Sequence, residues 1–242
     1  MPLAAFALAG LASQALARSP RLLRGMIDEP NSRSLHAGVI PRSGGLAIIA
    51  GLAGAGLLAL SLLPLTGVWA WILAALVPVA AISLLDDLGG VRPSCRLAAH
   101  LVSAALLIAG GLGWSHLDLP GLTLNLGSLL TFFLTLLLVV WMINLYNFMD
   151  GMDGLAGGMA VFGFGALAIL GWHGGDLAYA LICASIAAAA GGFLTANFPP
   201  ARLFLGDLGS TSLGLPAAAL SLLGSALGIF PPWVAGLAFP PI

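Results

Sequence analysis

The chain has 242 residues, 60% of them hydrophobic and only 7% charged, with a net charge of −1. That balance excludes an ordinary soluble domain and offers no basic surface for a nucleic-acid partner. Apolar runs of about 17 residues or more recur along the chain, the pattern of an all-α, polytopic membrane protein.

In chain order the candidate spans are 2–17, 44–63, 68–85, 97–113, 129–146, 155–171, 177–195, 211–228 and a partial 232–242. An 18-residue helix covers roughly 27 Å, about one hydrocarbon core. About nine spans leave little for a second domain, so residues 1–242 read as a single membrane-embedded domain. The connections 18–43, 86–96, 147–154 and 196–210 hold all eight basic residues, every one an arginine. The alternate connections near 64–67, 114–128, 172–176 and 229–231 hold none. Positive charge collects on the cytoplasmic side, which places the N-terminus outside. Five of the six tryptophans (Trp69, Trp71, Trp114, Trp172 and Trp233) then fall near the outer boundary as interfacial anchors. Ala15-Leu16-Ala17 resembles a signal-peptidase site. The arginines follow it rather than precede it, so an uncleaved first span is expected. Cys95 and Cys183 are too few for a disulfide framework and are expected to be structural or idle.

Seven of nine acids share the arginine side: Asp28, Glu29, Asp86, Asp87, Asp150, Asp153 and Asp207. A charge at a bilayer centre costs roughly 2.5–3.5 kcal/mol on insertion scales, so carboxylates at span boundaries mark chemistry. In the first loop, Arg33, His36 and Arg42 could contact phosphates; a plain basic juxtamembrane loop is the alternative. Asp86 and Asp87 end the third span and point about 100° apart, so one could meet a metal while the other takes a proton. Asn144, Asn147 and Asp150 recur every third residue and fan across one helix sector. Gly151 and Gly154 suggest that this helix ends before Asp153.

In the last cluster, Arg202, Phe204, Asp207 and Ser210 precede the eighth span. An all-oxygen site around Asp207 suits Mg²⁺, with Mn²⁺ as its substitute. Ser210 is placed to cap the next helix, whose N-terminal amides favour an anion. Phe204 either stacks on a base or anchors the loop at the interface. No phosphate-binding G-x-x-x-x-G-K loop, zinc spacing or Ser-His-Asp order is present, and His100, His116 and His173 match no motif. The set describes a nucleotide-diphosphate site at the cytoplasmic membrane face. A transporter is the rival class, although transporters place ionisable groups near the midplane. A non-catalytic assembly subunit is a third reading.

Three stretches carry a resemblance: Asp86-Asp87, Asn144-x-x-Asn147-x-x-Asp150-Gly-x-Asp153-Gly-Leu-Ala, and Phe204-x-Gly-Asp207-x-Gly-Ser210. In motif order the chain resembles the WecA/MraY family of polyprenyl-phosphate N-acetylhexosamine-1-phosphate transferases (glycosyltransferase 4 family) from about residue 28 to 228. The resemblance implies that a UDP-amino sugar and undecaprenyl phosphate react to a lipid-linked diphosphate sugar and UMP. This would be the first membrane step of a cell-envelope glycan pathway, in a bacterial inner membrane. It implies Asp207 as the Mg²⁺ ligand, Phe204 stacked on uracil, Asp153 holding the base, and Asn147 and Asp150 lining the diphosphate. Asp86 would deprotonate or position the lipid phosphate, with Asp87 in support. Arg33-x-x-His36 followed by Pro41-x-x-Gly-Gly is similar to the WecA-like branch. The expected partners are the two substrates and the bilayer; a homodimer stays open. The family continues into a His-rich loop and at least one more span, so a C-terminally truncated relative or a fragment is expected.

Overall fold

The long apolar runs fold as helices, because in hydrocarbon each backbone N–H and C=O must find its partner within the segment. The computed structural model describes residues 1–19, 25–28, 39–63, 67–114, 116–119 and 122–239. Arg33 and His36 lie outside the described residues. In chain order the elements are α1 (Pro2–Arg18), β1 (Ile27–Asp28), β2 (Ile40–Pro41), α2 (Gly44–Leu62), α3 (Gly67–Gly89), α4 (Pro93–Ala109), β3 (His116–Leu119) and β4 (Leu122–Asn125). They continue with α5 (Ser128–Met149), α6 (Leu155–His173), α7 (Leu177–Asn197), α8 (Gly206–Ala226) and the short α9 (Val234–Ala238). Five of them, α2, α3, α5, α6 and α7, are long and apolar enough to cross a membrane, the build of a polytopic membrane protein.

The bundle is organised around α8, which α2, α3, α5 and α6 all touch. Nearly every residue of α8 is buried, including Ser210, Thr211, Ser212 and Ser221. A helix surrounded by protein need not be as apolar as one facing lipid. Several of its hydroxyls are satisfied locally or across helices: Ser221 Oγ donates to the Ala217 carbonyl (2.6 Å), and the Thr211 and Ser83 hydroxyls pair at 2.7 Å. From α7, the Tyr179 hydroxyl donates to the Leu220 carbonyl at 2.9 Å. Small residues set the close approaches. A Cβ on Gly214 would lie 2.7 Å from the Ile143 Cα of α5.

Three expectations need correction. The 114–128 connection is not a plain loop: β3 and β4 pair antiparallel, with His116 opposite Asn125 and Leu119 opposite Leu122. The eighth helix begins at Gly206, not near 211, so Asp207 lies in its first turn rather than ahead of it. The fourth begins at Pro93, which brings Arg96 onto the helix.

Candidate active site

The ends of α3 and α5 and the beginnings of α4 and α8 meet at one end of the bundle. Local sequence explains each. Gly89-Gly90, with Gly90 at φ +78°, turns the chain between α3 and α4, and Pro93 supplies a pre-formed first helical turn. Gly206 takes φ +74° as α8 starts, and a Cβ there would lie 2.6 Å from the Arg42 carbonyl oxygen. The segment before α2 runs beside the one before α8. The Phe204 amide donates to the Pro41 carbonyl at 2.8 Å, and Gly44 and Gly45 donate to Phe204 and Leu205 at 2.9 and 2.8 Å.

Asp87 turns into the protein, with a side chain 0% exposed. Its Oδ1 accepts the Asp207 amide at 2.9 Å and its Oδ2 the Leu208 amide at 2.8 Å. Leu205 at the N-cap of α8 offers no capping side chain, so Asp87 supplies the cap from another helix. Asp150 approaches the preceding amide, that of Gly206. The expected anion seat at this helix start is therefore taken by the protein's own carboxylates. Nor does Ser210 cap the helix. It sits past the first turn, donates to the Asp207 carbonyl at 3.3 Å and lies 3.2 Å from Asn147 Nδ2. Burial pushes the Asp150 carboxyl up to about 8, and the charge of Asp207 adds to the rise.

Asp86, on the adjacent residue, turns the other way. Its Oδ1 accepts the Val91 amide and its Oδ2 meets Arg96 Nη1, both at 2.5 Å. The same nitrogen lies 3.4 Å from Asp207 Oδ2. Asp207 Oδ1 accepts from Asn147 Nδ2 at 2.6 Å. Each carboxylate thus has one oxygen tied to the scaffold and one aimed at a shared cation. Arg42 lies 3.9 Å from Asp87, completing a network of two arginines and four aspartates.

A cavity of about 240 Å³ opens beside this network, lined by Ser83, Arg96, His100, Asn144, Asn147, Asp207 and Thr211 together with Pro93 and Leu97. A water takes about 30 Å³, so the space suits a hydrated phosphate group rather than a whole nucleotide sugar. Asn144 donates back to the Val140 carbonyl at 2.7 Å while lining this cavity.

Other predicted residues belong to a neighbouring layer. Asp153 accepts the Ala201 amide at 2.9 Å and stays exposed. Arg202 turns toward α1 and α7, donating to Gln14 Oε1 (3.3 Å) and the Thr195 carbonyl (3.1 Å). Phe204 is partly buried, its backbone held as described. Sequence reasoning passed over Arg96 and Asn197. Asn197 is buried, accepts the Gly154 amide and donates to the Leu203 carbonyl, both at 2.9 Å, so it joins the α6 start to the loop before α8. Arg96 was legible in principle, since one tight turn after Asp86 returns the chain to the same end.

Among the described residues no three His, Cys, Asp or Glu side chains gather into a ready-made metal cage. Mg²⁺ rarely uses one. It takes one or two carboxylates, keeps waters and binds substrate phosphates. Asp86 and Asp207, with two oxygens already converging on a positive charge and the Asn147 amide alongside, fit that habit.

The family model for glycosyl transferase family 4 matches residues 69–225. A probable undecaprenyl-phosphate N-acetylglucosaminyl 1-phosphate transferase of Bacillus subtilis is 35% identical over 202 residues, 83% of this chain and 56% of the relative. A decaprenyl-phosphate N-acetylglucosaminephosphotransferase of Mycobacterium tuberculosis is 38% identical over 216 residues, 81% and 53%. A phospho-N-acetylmuramoyl-pentapeptide-transferase of Shouchella clausii is 39% identical over 143 residues, 55% and 42%. The chain spans about half the length of the curated relatives it matches.

Proposed function

The chain belongs to glycosyl transferase family 4, and from that premise we propose that it transfers an N-acetylhexosamine 1-phosphate from a UDP-sugar to a polyprenyl phosphate. A lipid phosphate oxygen bonds to the β-phosphorus, the bond from that phosphorus to the bridging oxygen breaks, and UMP leaves with the electron pair. The observation that carries the reading is the convergence of Asp86, Asn147 and Asp207 on Arg96 beside a phosphate-sized polar cavity. Similarity to the N-acetylglucosamine 1-phosphate enzymes covers four-fifths of the chain, against just over half for the pentapeptide transferase. That favours the simpler amino-sugar donor.

Phosphoryl transfer needs positioning and charge neutralisation more than covalent chemistry from the protein. A Mg²⁺ held by Asp207 and Asp86 would neutralise charge on the diphosphate oxygens. Arg96 presents a second cation, and Asn147 orients Asp207. Asp86 has one oxygen on the Val91 amide and the other on Arg96, which supports a positioning role: it aims Arg96 until a metal takes that oxygen. Asp87 and Asp150 hold the start of α8, and with it Asp207. The concentration of arginine in the connections at this end of the bundle supports a site that faces the cytoplasm, in a bacterial inner membrane. Charged groups at helix ends rather than mid-helix favour surface chemistry over transport.

Membranes containing the protein should release UMP from a UDP-N-acetylhexosamine when given undecaprenyl phosphate and Mg²⁺. Asp207→Asn should lower the rate by about 100-fold or more while the protein still inserts. Undiminished UMP release from that variant would overturn the assignment of Asp207.

A further inference from the structure

Arg96 occupies an unusual position for a residue that serves only to bind substrate. Its Nη1 lies 2.5 Å from Asp86 Oδ2 and 3.4 Å from Asp207 Oδ2, the two oxygens best placed to receive a divalent cation. Their partner oxygens are already held, Asp86 Oδ1 by the Val91 amide and Asp207 Oδ1 by Asn147. The two free oxygens therefore converge on one nitrogen. Without an intervening positive charge, two carboxylates so close would repel at the edge of an apolar bundle. Arg96 is 38% exposed and borders the phosphate-sized cavity, so its guanidinium has somewhere to go.

We propose that Arg96 is an exchangeable internal cation, a positioning residue that couples metal binding to phosphate binding. With the site free of phosphate, the guanidinium neutralises the carboxylate pair and competes with a metal for the same two oxygens. A metal that enters must displace it, leaving one uncompensated positive charge in a small space. A phosphate in the cavity removes that penalty by taking the displaced guanidinium as its own partner. Metal and phosphate ligand therefore bind with positive cooperativity, and by linkage each raises the affinity of the other by the same factor. The consequence is protective: the protein holds its metal weakly until a phosphorylated substrate is present. This inference rests on the proposed metal site at Asp207, and the experiment separates the two.

The test is Mn²⁺ binding, read by the loss of the free-ion electron paramagnetic resonance signal, on the whole chain in detergent. It is run with and without UMP, which holds Mn²⁺ only weakly in solution. For the unaltered protein, saturating UMP should tighten Mn²⁺ binding by at least about fivefold. Arg96→Gln should tighten Mn²⁺ binding without UMP by a similar factor and shrink the UMP effect below about twofold. Arg96→Lys keeps a mobile cation and should retain both the weak basal affinity and the coupling. Arg92→Gln, which removes an exposed charge one helical turn away, should change neither. Unchanged or weaker Mn²⁺ binding in folded Arg96→Gln overturns the proposal, as does an absence of UMP coupling in the unaltered protein. The latter measurement decides the matter if Arg96→Gln fails to fold. Asp207→Asn separates the premise: if it binds Mn²⁺ as the unaltered protein does, the metal site itself is wrong, whereas loss of binding there with no Arg96 effect sinks only the exchange.

Discussion

Asp87→Asn tests whether the second residue of the acidic pair serves the fold or the reaction. The carboxylate accepts two amides at the start of α8, at 2.9 and 2.8 Å, with no solvent contact. A hydrogen bond to a charged group contributes about 1.5–3 kcal/mol. The amide side chain keeps one acceptor and turns an N–H toward the other donor, so one bond is lost and one buried amide goes unpaired. Relief from burying a charge offsets part of this. The net loss should be about 2 kcal/mol, which at this chain length lowers the melting temperature by roughly 4–8 °C. Asp87→Ala loses both bonds and should cost about 3–5 kcal/mol. Thermal unfolding in detergent, followed by tryptophan fluorescence, measures the loss, and hydrogen exchange at residues 206–210 localises it. An unshifted melting temperature with unchanged exchange, alongside abolished UMP release, would refute the capping role and make Asp87 a group that acts on ligand.

Gly206→Ala should be more damaging than its size suggests, because the residue has φ +74° and a Cβ would meet the Arg42 carbonyl at 2.6 Å. Left-handed backbone costs about 1–2 kcal/mol and overpacking about 1–3 more, so a melting scan should show a large drop. Asn197→Ala strands the Gly154 amide and the Leu203 carbonyl and should cost about 2–4 kcal/mol, with proteolysis appearing first in the 198–205 loop. The two native cysteines report topology without engineering, since Cys95 is exposed and Cys183 buried. A membrane-impermeant maleimide should label Cys95 in inverted vesicles only. Labelling from the opposite side would reverse the assigned orientation.

The helices were legible because hydrophobic runs of this length have few alternatives, and the polar motifs were legible because charge is scarce here. What escaped depended on distance in the fold. Nothing local says that Asp87 caps α8, since its partners are the amides of Asp207 and Leu208, 120 and 121 residues away. The missing N-cap side chain at Leu205 was the available signal, readable only once the helix start was fixed at Gly206. Arg96 was passed over because the fourth span was begun at Leu97, which left it in a loop. The β3–β4 hairpin had a signal in the alternation of Leu117, Leu119, Leu122 and Leu124 around Pro120-Gly121. A search for long apolar runs does not register a two-residue period.

Adjacent carboxylates can do different jobs because a helix aims them differently. Successive residues diverge by about 100°, so one can face the bundle while the next faces its open end. Asp87 takes the inward direction and fixes α8; Asp86 takes the outward one and holds Arg96. The division has a mechanical consequence. Asp207 is one residue into α8, and the amide that Asp87 holds is Asp207's own. Whatever ligand Asp207 carries is thereby referenced to α3, the same helix that aims Arg96. The two carboxylates that would hold the metal are thereby referenced to a single rigid segment, Asp86 directly and Asp207 through its neighbour Asp87. Without that shared reference, helix motions would change their spacing, and phosphoryl transfer depends on that spacing.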